Sequence, residues 1–258
     1  MAIMVVELIY VLDNKTIIPI VSVLLKPWED RLLAGTTART GELLTGQPAL
    51  LKIGISGRHQ EELKCQLKKL LEERYHLLSG GQTNLVFTTP KDYRGIWGII
   101  QSIQQNFPGQ WQYLITGVES LSEEEINRTC SWLKPQIGLM AAMAGETSEN
   151  RAEHDIYLYR QFALARAVGR DGVMIVNRDD EAIRQGMDKY HASNYITYGQ
   201  NKAADICWTV LSVAAGVVEI GIFYQGAEKS YHLELNDPKE IPELAAALAV
   251  MVYLEQEK

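Results

Sequence analysis

The residues best suited to chemistry stand where an apolar run meets a helix. Leu51-Lys52-Ile53-Gly54-Ile55-Ser56-Gly57 reads as a short strand closed by glycine, and Leu63, Leu67, Leu70, Leu71 and Tyr75 then recur at helical spacing. A strand, a tight turn and a helix in that order aim the free N–H groups of the first helical turn, and the positive end of its dipole, at whatever lies beyond the strand. Gln60, Glu61 and Glu62 fall in that first turn. Carboxylates placed there satisfy the N–H groups and the dipole themselves, at ~0.3–1 kcal/mol each. Asn177-Arg178-Asp179-Asp180 is a second polar junction between a strand and a helix, with the residue types of an N-cap. Gly35-Thr36-Thr37-Ala38-Arg39-Thr40-Gly41 is a third candidate, but no strand runs into it and no Gly-Lys-Thr closes it, so it reads as an ordinary loop.

Other chemistries find little support. His59, His76, His154, His191 and His232 form no HxxxH or HxH pair, no Gly-x-Ser-x-Gly elbow is present, and no metal site is expected. Cys65, Cys130 and Cys207 are far apart and make no CxxC, which reads as buried free thiols in a reducing cytoplasm. The net charge of −7 and the lack of a Lys/Arg block argue against nucleic acid as a partner. The longest uncharged run near the N-terminus, residues 16–25, is half the length of a membrane span, and no leader pattern precedes it. A cytoplasmic protein without a membrane span is the expectation.

The elements that must position these residues follow from periodicity. Residues 3–12 and 17–25 are β-branched runs divided by Asp13-Asn14-Lys15 and read as strands, and 26–47 reads as loop. Residues 1–49 are thus expected to be an apolar segment and loop rather than a separate domain. From residue 50 strands and helices alternate: strand 84–88, helix 93–105, strand 112–116, a helix after Ser122 with Glu125 at capping-box spacing, strand 137–141, helix 155–167, strand 172–177. Such alternation predicts an α/β fold, a mostly parallel sheet with helices on both faces. Strands 206–213, 217–224 and 230–235 then predict a small antiparallel meander, and an apolar helix over 241–254 should pack back onto the sheet.

Gly54 to Gly57 resembles the opening of the Mur ligase nucleotide loop, close to IGITGxxGKT. Leu133-Lys134-Pro135-Gln136-Ile137-Gly138-Leu139-Met140 is similar to that family's "hPDhGIIT" strand, and Gly172 through Asp180 to its "GxxhlNxDD" segment. Tyr198-Gly199, the meander and the alanine-rich last helix fall in family order, nearest to the ligases that add D-alanyl-D-alanine. The resemblance covers residues 50–254, so 50–258 is expected to be a Mur-ligase-like central domain, with about fifty unrelated residues before it and no counterpart of the family's C-terminal domain after it.

The resemblance also locates departures. The Gly-Lys-Thr positions hold Gln60, Glu61 and Glu62, so carboxylates stand where a lysine would meet phosphate; like charges there repel by ~1 kcal/mol per unit pair in water and ~4 at an effective dielectric of 20. The strand-end Glu that binds Mg²⁺ falls at Gly117 or its neighbours, with Glu119 two residues on. The metal-binding His falls at Thr147, and the carbamylated Lys and its following Glu at Gln161 and Ala163. Arg94 stands for an Asn, and Lys239 to Glu243 replace the "HNxxN" opening of the last helix. Asn177, Asp179 and Asp180 remain as nucleotide-side residues or, on the reading above, as a cap. The resemblance therefore implies a fold without the residues for Mg-ATP: no cofactor, no metal, and a non-catalytic role as partner of another protein, such as a cell-wall precursor ligase, or of a second copy through the last helix (Leu244, Leu248, Val252, Leu254) or the apolar N-terminal segment. A small-molecule or nucleotide-binding module at the strand ends, and a ligase rebuilt around Glu119, Glu146 and His154, are the alternatives.

Overall fold

The computed structural model describes residues 14–79, 85–93, 95–107, 109–118, 122–143, 151–190 and 194–256. A single nine-stranded sheet organises them: β1 (Leu51–Ser56), β2 (Val86–Thr88), β3 (Tyr113–Gly117), β4 (Ile137–Met140), β5 (Val173–Asn177), β6 (Asn194–Gly199), β7 (Ile206–Ala214), β8 (Val217–Tyr224) and β9 (Ala227–Glu234), in spatial order β2-β3-β1-β4-β5-β6-β7-β8-β9. All pairs from β2 to β7 are parallel, and β7-β8-β9 is an antiparallel meander that continues the same sheet. The expected fold class is what is found. Strand β6, which joins the parallel part to the meander, carries too few apolar residues in Asn194–Gly199 to stand out in the sequence.

Alternate residues of the strands feed two cores. Ile53, Ile55, Ile115, Leu139 and Ile175 face α2 (Gln60–Ser79) and the last helix, α8 (Ile241–Gln256). Leu114, Met140, Met174 and Val176 face the other layer, made of α1 (Asn14–Thr45), α3 (Gly95–Asn106), α4 (Glu123–Leu133), α5 (Arg151–Gln161), α6 (Ala163–Val168) and α7 (Glu181–Lys189). The Ser122–Glu125 capping box forms as its spacing requires: each partner's side chain meets the other's backbone N–H.

Four expectations are corrected. Residues 17–25 and 26–45 are neither strand nor loop but parts of the 32-residue helix α1, and only 46–47 leave it as a turn; the run 3–12 lies outside the described residues. The threonines that suggested a loop are accommodated by donating their hydroxyls back to carbonyls one turn earlier, Thr40 to Thr36 and Thr45 to Gly41. Packing then overrides propensity, because Leu33, Thr40 and Leu44 are buried and Gly41 lets the backbone approach Trp132, whose Cβ would stand 3.4 Å from a Cβ added there. Second, Leu244, Leu248, Val252 and Leu254 of α8 are buried in the core between α2 and the sheet, so they do not form an open docking surface. Third, only Cys130 is fully buried; Cys65 is exposed and Cys207 half-buried. The helix expected over 155–167 is also interrupted, with Phe162 turning the chain between α5 and α6 and filling the space beside Gly186.

Candidate functional site

The carboxyl ends of β1, β3 and β4 and the N-terminus of α2 converge, and the turn 56–60 lies among them. Gly57 adopts φ +103°, and a Cβ there would lie 2.4 Å from the Ala142 carbonyl oxygen, so only glycine fits. The next N–H, that of Arg58, donates to the same carbonyl at 2.9 Å, and the Val118 N–H donates to Ile55. His59 is left-handed, φ +57°, and its carbonyl accepts the Leu63 N–H. The loop is thus bound to the segment after β4.

The side chains at the start of α2 are engaged with the chain itself. Glu61 forms an ion pair of 2.8 Å with Lys64, whose side chain is only 4 % exposed and whose ammonium also donates to the Thr89 carbonyl at 2.7 Å. The Gln60 amide lies over the end of β3: a Cβ on Gly117 would sit 2.4 Å from its Oε1. Gln60 and Gly117, separated by 57 residues in sequence, therefore complement each other in space, the longer side chain lying where the smaller residue leaves room. Glu62 is exposed. Gly54, earlier in β1, packs against Leu164.

Asn177, Asp179 and Asp180 lie at the end of β5 and hold backbone rather than project outward. Asn177 Oδ1 accepts the Asp179 N–H at 2.9 Å. The Asp179 carboxylate accepts the N–H groups of Gln200 and Asn201, tying down the turn after β6. Asp180 caps α7 through Ala182 and Ile183, and its second oxygen accepts the Met143 N–H at 2.9 Å. The Tyr198 hydroxyl donates to Ala141 nearby; burial first, then the negative charges of Glu243, Asp179 and Asp180, push its pKa well above the usual phenol value. One Glu243 oxygen is buried without a hydrogen-bond partner among the described residues.

Other predicted positions are dispersed. Gln161 and Ala163 flank Phe162, and Ala163 is buried in the second core. Thr147, Glu119, Glu146 and Arg94 lie outside the described residues, and nothing is described of the His154 side chain. No group of three or more metal-binding side chains occurs among the described residues. Sequence reasoning missed Lys64, although Glu61 and Lys64 at i, i+3 carry that pairing, and it missed the Gln60–Gly117 contact, which has no local signal.

The profile of the Mur ligase middle domain matches residues 64–251. The chain belongs to the Mur ligase family. That match starts just after the turn described above. Among solved structures the fold is similar to the UDP-N-acetylmuramoylalanyl-D-glutamyl-2,6-diaminopimelate D-alanyl-D-alanyl ligase from Acinetobacter baumannii (12 % identity, TM-score 0.70, covering 86 % of this chain and 47 % of that one). It is similar also to MurF from Thermotoga maritima in complex with ADP (18 % identity, TM-score 0.67, 86 % and 49 %). FolC from E. coli, in complex with DHPP and ADP, is more distant (12 % identity, TM-score 0.54, 84 % and 56 %). The chain spans about half the length of these proteins. Curated protein sequences contain no match.

Proposed function

We infer that this chain is a non-catalytic Mur-ligase-like protein that acts by binding, as a partner or regulator in peptidoglycan precursor synthesis. The observation that carries the reading is the start of α2. A nucleotide loop needs free N–H groups, a lysine at the β/γ oxygens and a hydroxyl on Mg²⁺. Here the Arg58 N–H is committed to Ala142, Glu61 takes the lysine position and is neutralised by Lys64, and the Gln60 side chain lies over Gly117, at or beside which the resemblance places a metal-binding Glu. Glu62 replaces the hydroxyl. The residues present do not fit Mg-ATP.

Further support comes from Asn177, Asp179 and Asp180, whose side-chain oxygens are all bound to backbone N–H groups. Among the described residues a nine-stranded sheet and two apolar cores surround this turn, as expected where the scaffold itself is what is used. The test is to add the purified protein to an active D-alanyl-D-alanine-adding ligase from the same source and follow its rate and co-elution. A stable complex or a changed rate is expected. Independent migration with an unchanged rate for every Mur ligase of that source, or ligase activity of the chain itself, would refute the reading.

A further inference from the structure

Residues 24–32 of α1 stand clear of the body of the protein. Leu33 is the first buried residue along this helix among those whose side chains are described, and all of residues 24–32 are exposed. The tie to the body nearest the N-terminus, among the described residues, is Asp30 with Arg128 of α4 at 3.2 Å. At 1.5 Å per residue, residues 14–29 extend about 24 Å beyond that tie. Leu24 is 69 % exposed and Trp28 68 %, with Leu25 and Leu32 also more than half exposed.

The composition of this projection is unlike a water-exposed helix. Residues 16–25 contain no charge, and seven of the ten are Ile, Val or Leu, with Thr16 and Ser22 the polar ones, so the run has no charged face to turn to water. A groove on a protein covers one face; a helix with no charged face needs to be surrounded. Pro19 and Pro27 lie inside the helix and the β-branched residues have low helix propensity, so in water this segment is a poor helix, whereas in hydrocarbon the helix is imposed because backbone groups have no water to bond. The apolar run then ends at Lys26, Trp28 and Arg31, the residue types that sit at a membrane–water boundary. Ten uncharged residues reach about 15 Å, half the hydrocarbon thickness, and no helix among the described residues is long and apolar enough to cross a membrane.

We propose that the N-terminal half of α1 inserts into one leaflet of a lipid bilayer, with Trp28 at the headgroup level, and holds the Mur-ligase-like domain at the membrane surface. Apolar burial supplies the binding, so neutral lipid suffices. The test is flotation of the full chain with phosphatidylcholine vesicles, repeated with added phosphatidylglycerol and at high salt. The wild type should float in all three, and Leu24→Glu with Leu25→Glu should lower the bound-to-free ratio about a hundredfold. Because both leucines are exposed, the urea midpoint of the body should not move. Brominated acyl chains should quench wild-type emission, and Trp28→Phe should abolish that quenching. Wild-type protein that stays with the aqueous fraction overturns the proposal, whether as a monomer covered by its own residues 3–12 or as an oligomer dispersed by the Glu variants. So does flotation that the Glu variants leave unchanged.

Discussion

Replacing Glu61 by Gln separates a helix-end role from an ion-pair role. If Glu61 only met the helix dipole, its loss would cost ~0.3–1 kcal/mol, the same as loss of Glu62. The structure distinguishes the two residues. Glu61 pairs at 2.8 Å with a lysine that is 4 % exposed, whereas Glu62 is exposed. Removing the partner of a fully buried ion costs ~3–5 kcal/mol, and breaking an exposed pair ~0.2–1 kcal/mol. With Glu61 itself 28 % exposed and the Thr89 carbonyl still accepting from Lys64, the loss should fall between those limits, at about 2 kcal/mol for Glu61→Gln. Glu62→Gln should cost less than about 1 kcal/mol. Urea unfolding of both variants and of Lys64→Met, with a double-mutant cycle between Glu61→Gln and Lys64→Met, reads the difference. A coupling of at least ~1 kcal/mol is expected. Equal losses for the two glutamates, or a cycle with no coupling, would show that Lys64 does not neutralise this turn and that the reasoning about its charge is wrong.

Gly57→Ala should destabilise by more than about 3 kcal/mol in the same assay, since it combines a strained φ with a backbone clash at Ala142. Gly117→Glu should be costly alone and less so with Gln60→Gly, because the displaced group is that one side chain; equal costs would mean the two positions are independent. Native protein should be alkylated at Cys65 and not at Cys130, whose thiol burial pushes up to about 12; labelling of Cys130 before unfolding would contradict its placement. A thiol with a raised folded value contributes stability present below its unfolded value near 9 and lost as pH rises towards 12, so Cys130→Ala should flatten the alkaline fall in stability over that window.

The parallel part of the fold was legible because its strands are apolar runs bounded by turns and its helices repeat at 3.6 residues, as in Leu63, Leu67, Leu70 and Leu71. Helix α1 was not, because Ile17 to Leu25 is β-branched and Gly35 to Gly41 is loop-like, and what settles the conformation of its C-terminal half is contact with Trp132 and Gln104, distant in sequence. The last helix was legible as an apolar element that packs back onto the sheet; what the sequence misplaced was the row Leu244, Leu248, Val252 and Leu254, expected on an open surface and found facing α2 and the sheet. At the site the residue types at 60–62 were readable, and so was the capping chemistry of Asp180. The partnership of Gln60 with Gly117, and the commitment of Arg58 to Ala142, depend on how β1, β3 and β4 end beside one another.

Under the proposed function, the turn before α2 has no place for nucleotide. Isothermal calorimetry of the full chain with Mg-ATP, with released phosphate assayed in the same samples, addresses it directly. The expected result is no saturable heat at millimolar nucleotide and no phosphate above the protein-free rate. A micromolar dissociation constant, or phosphate release that Glu61→Gln abolishes, would contradict the account.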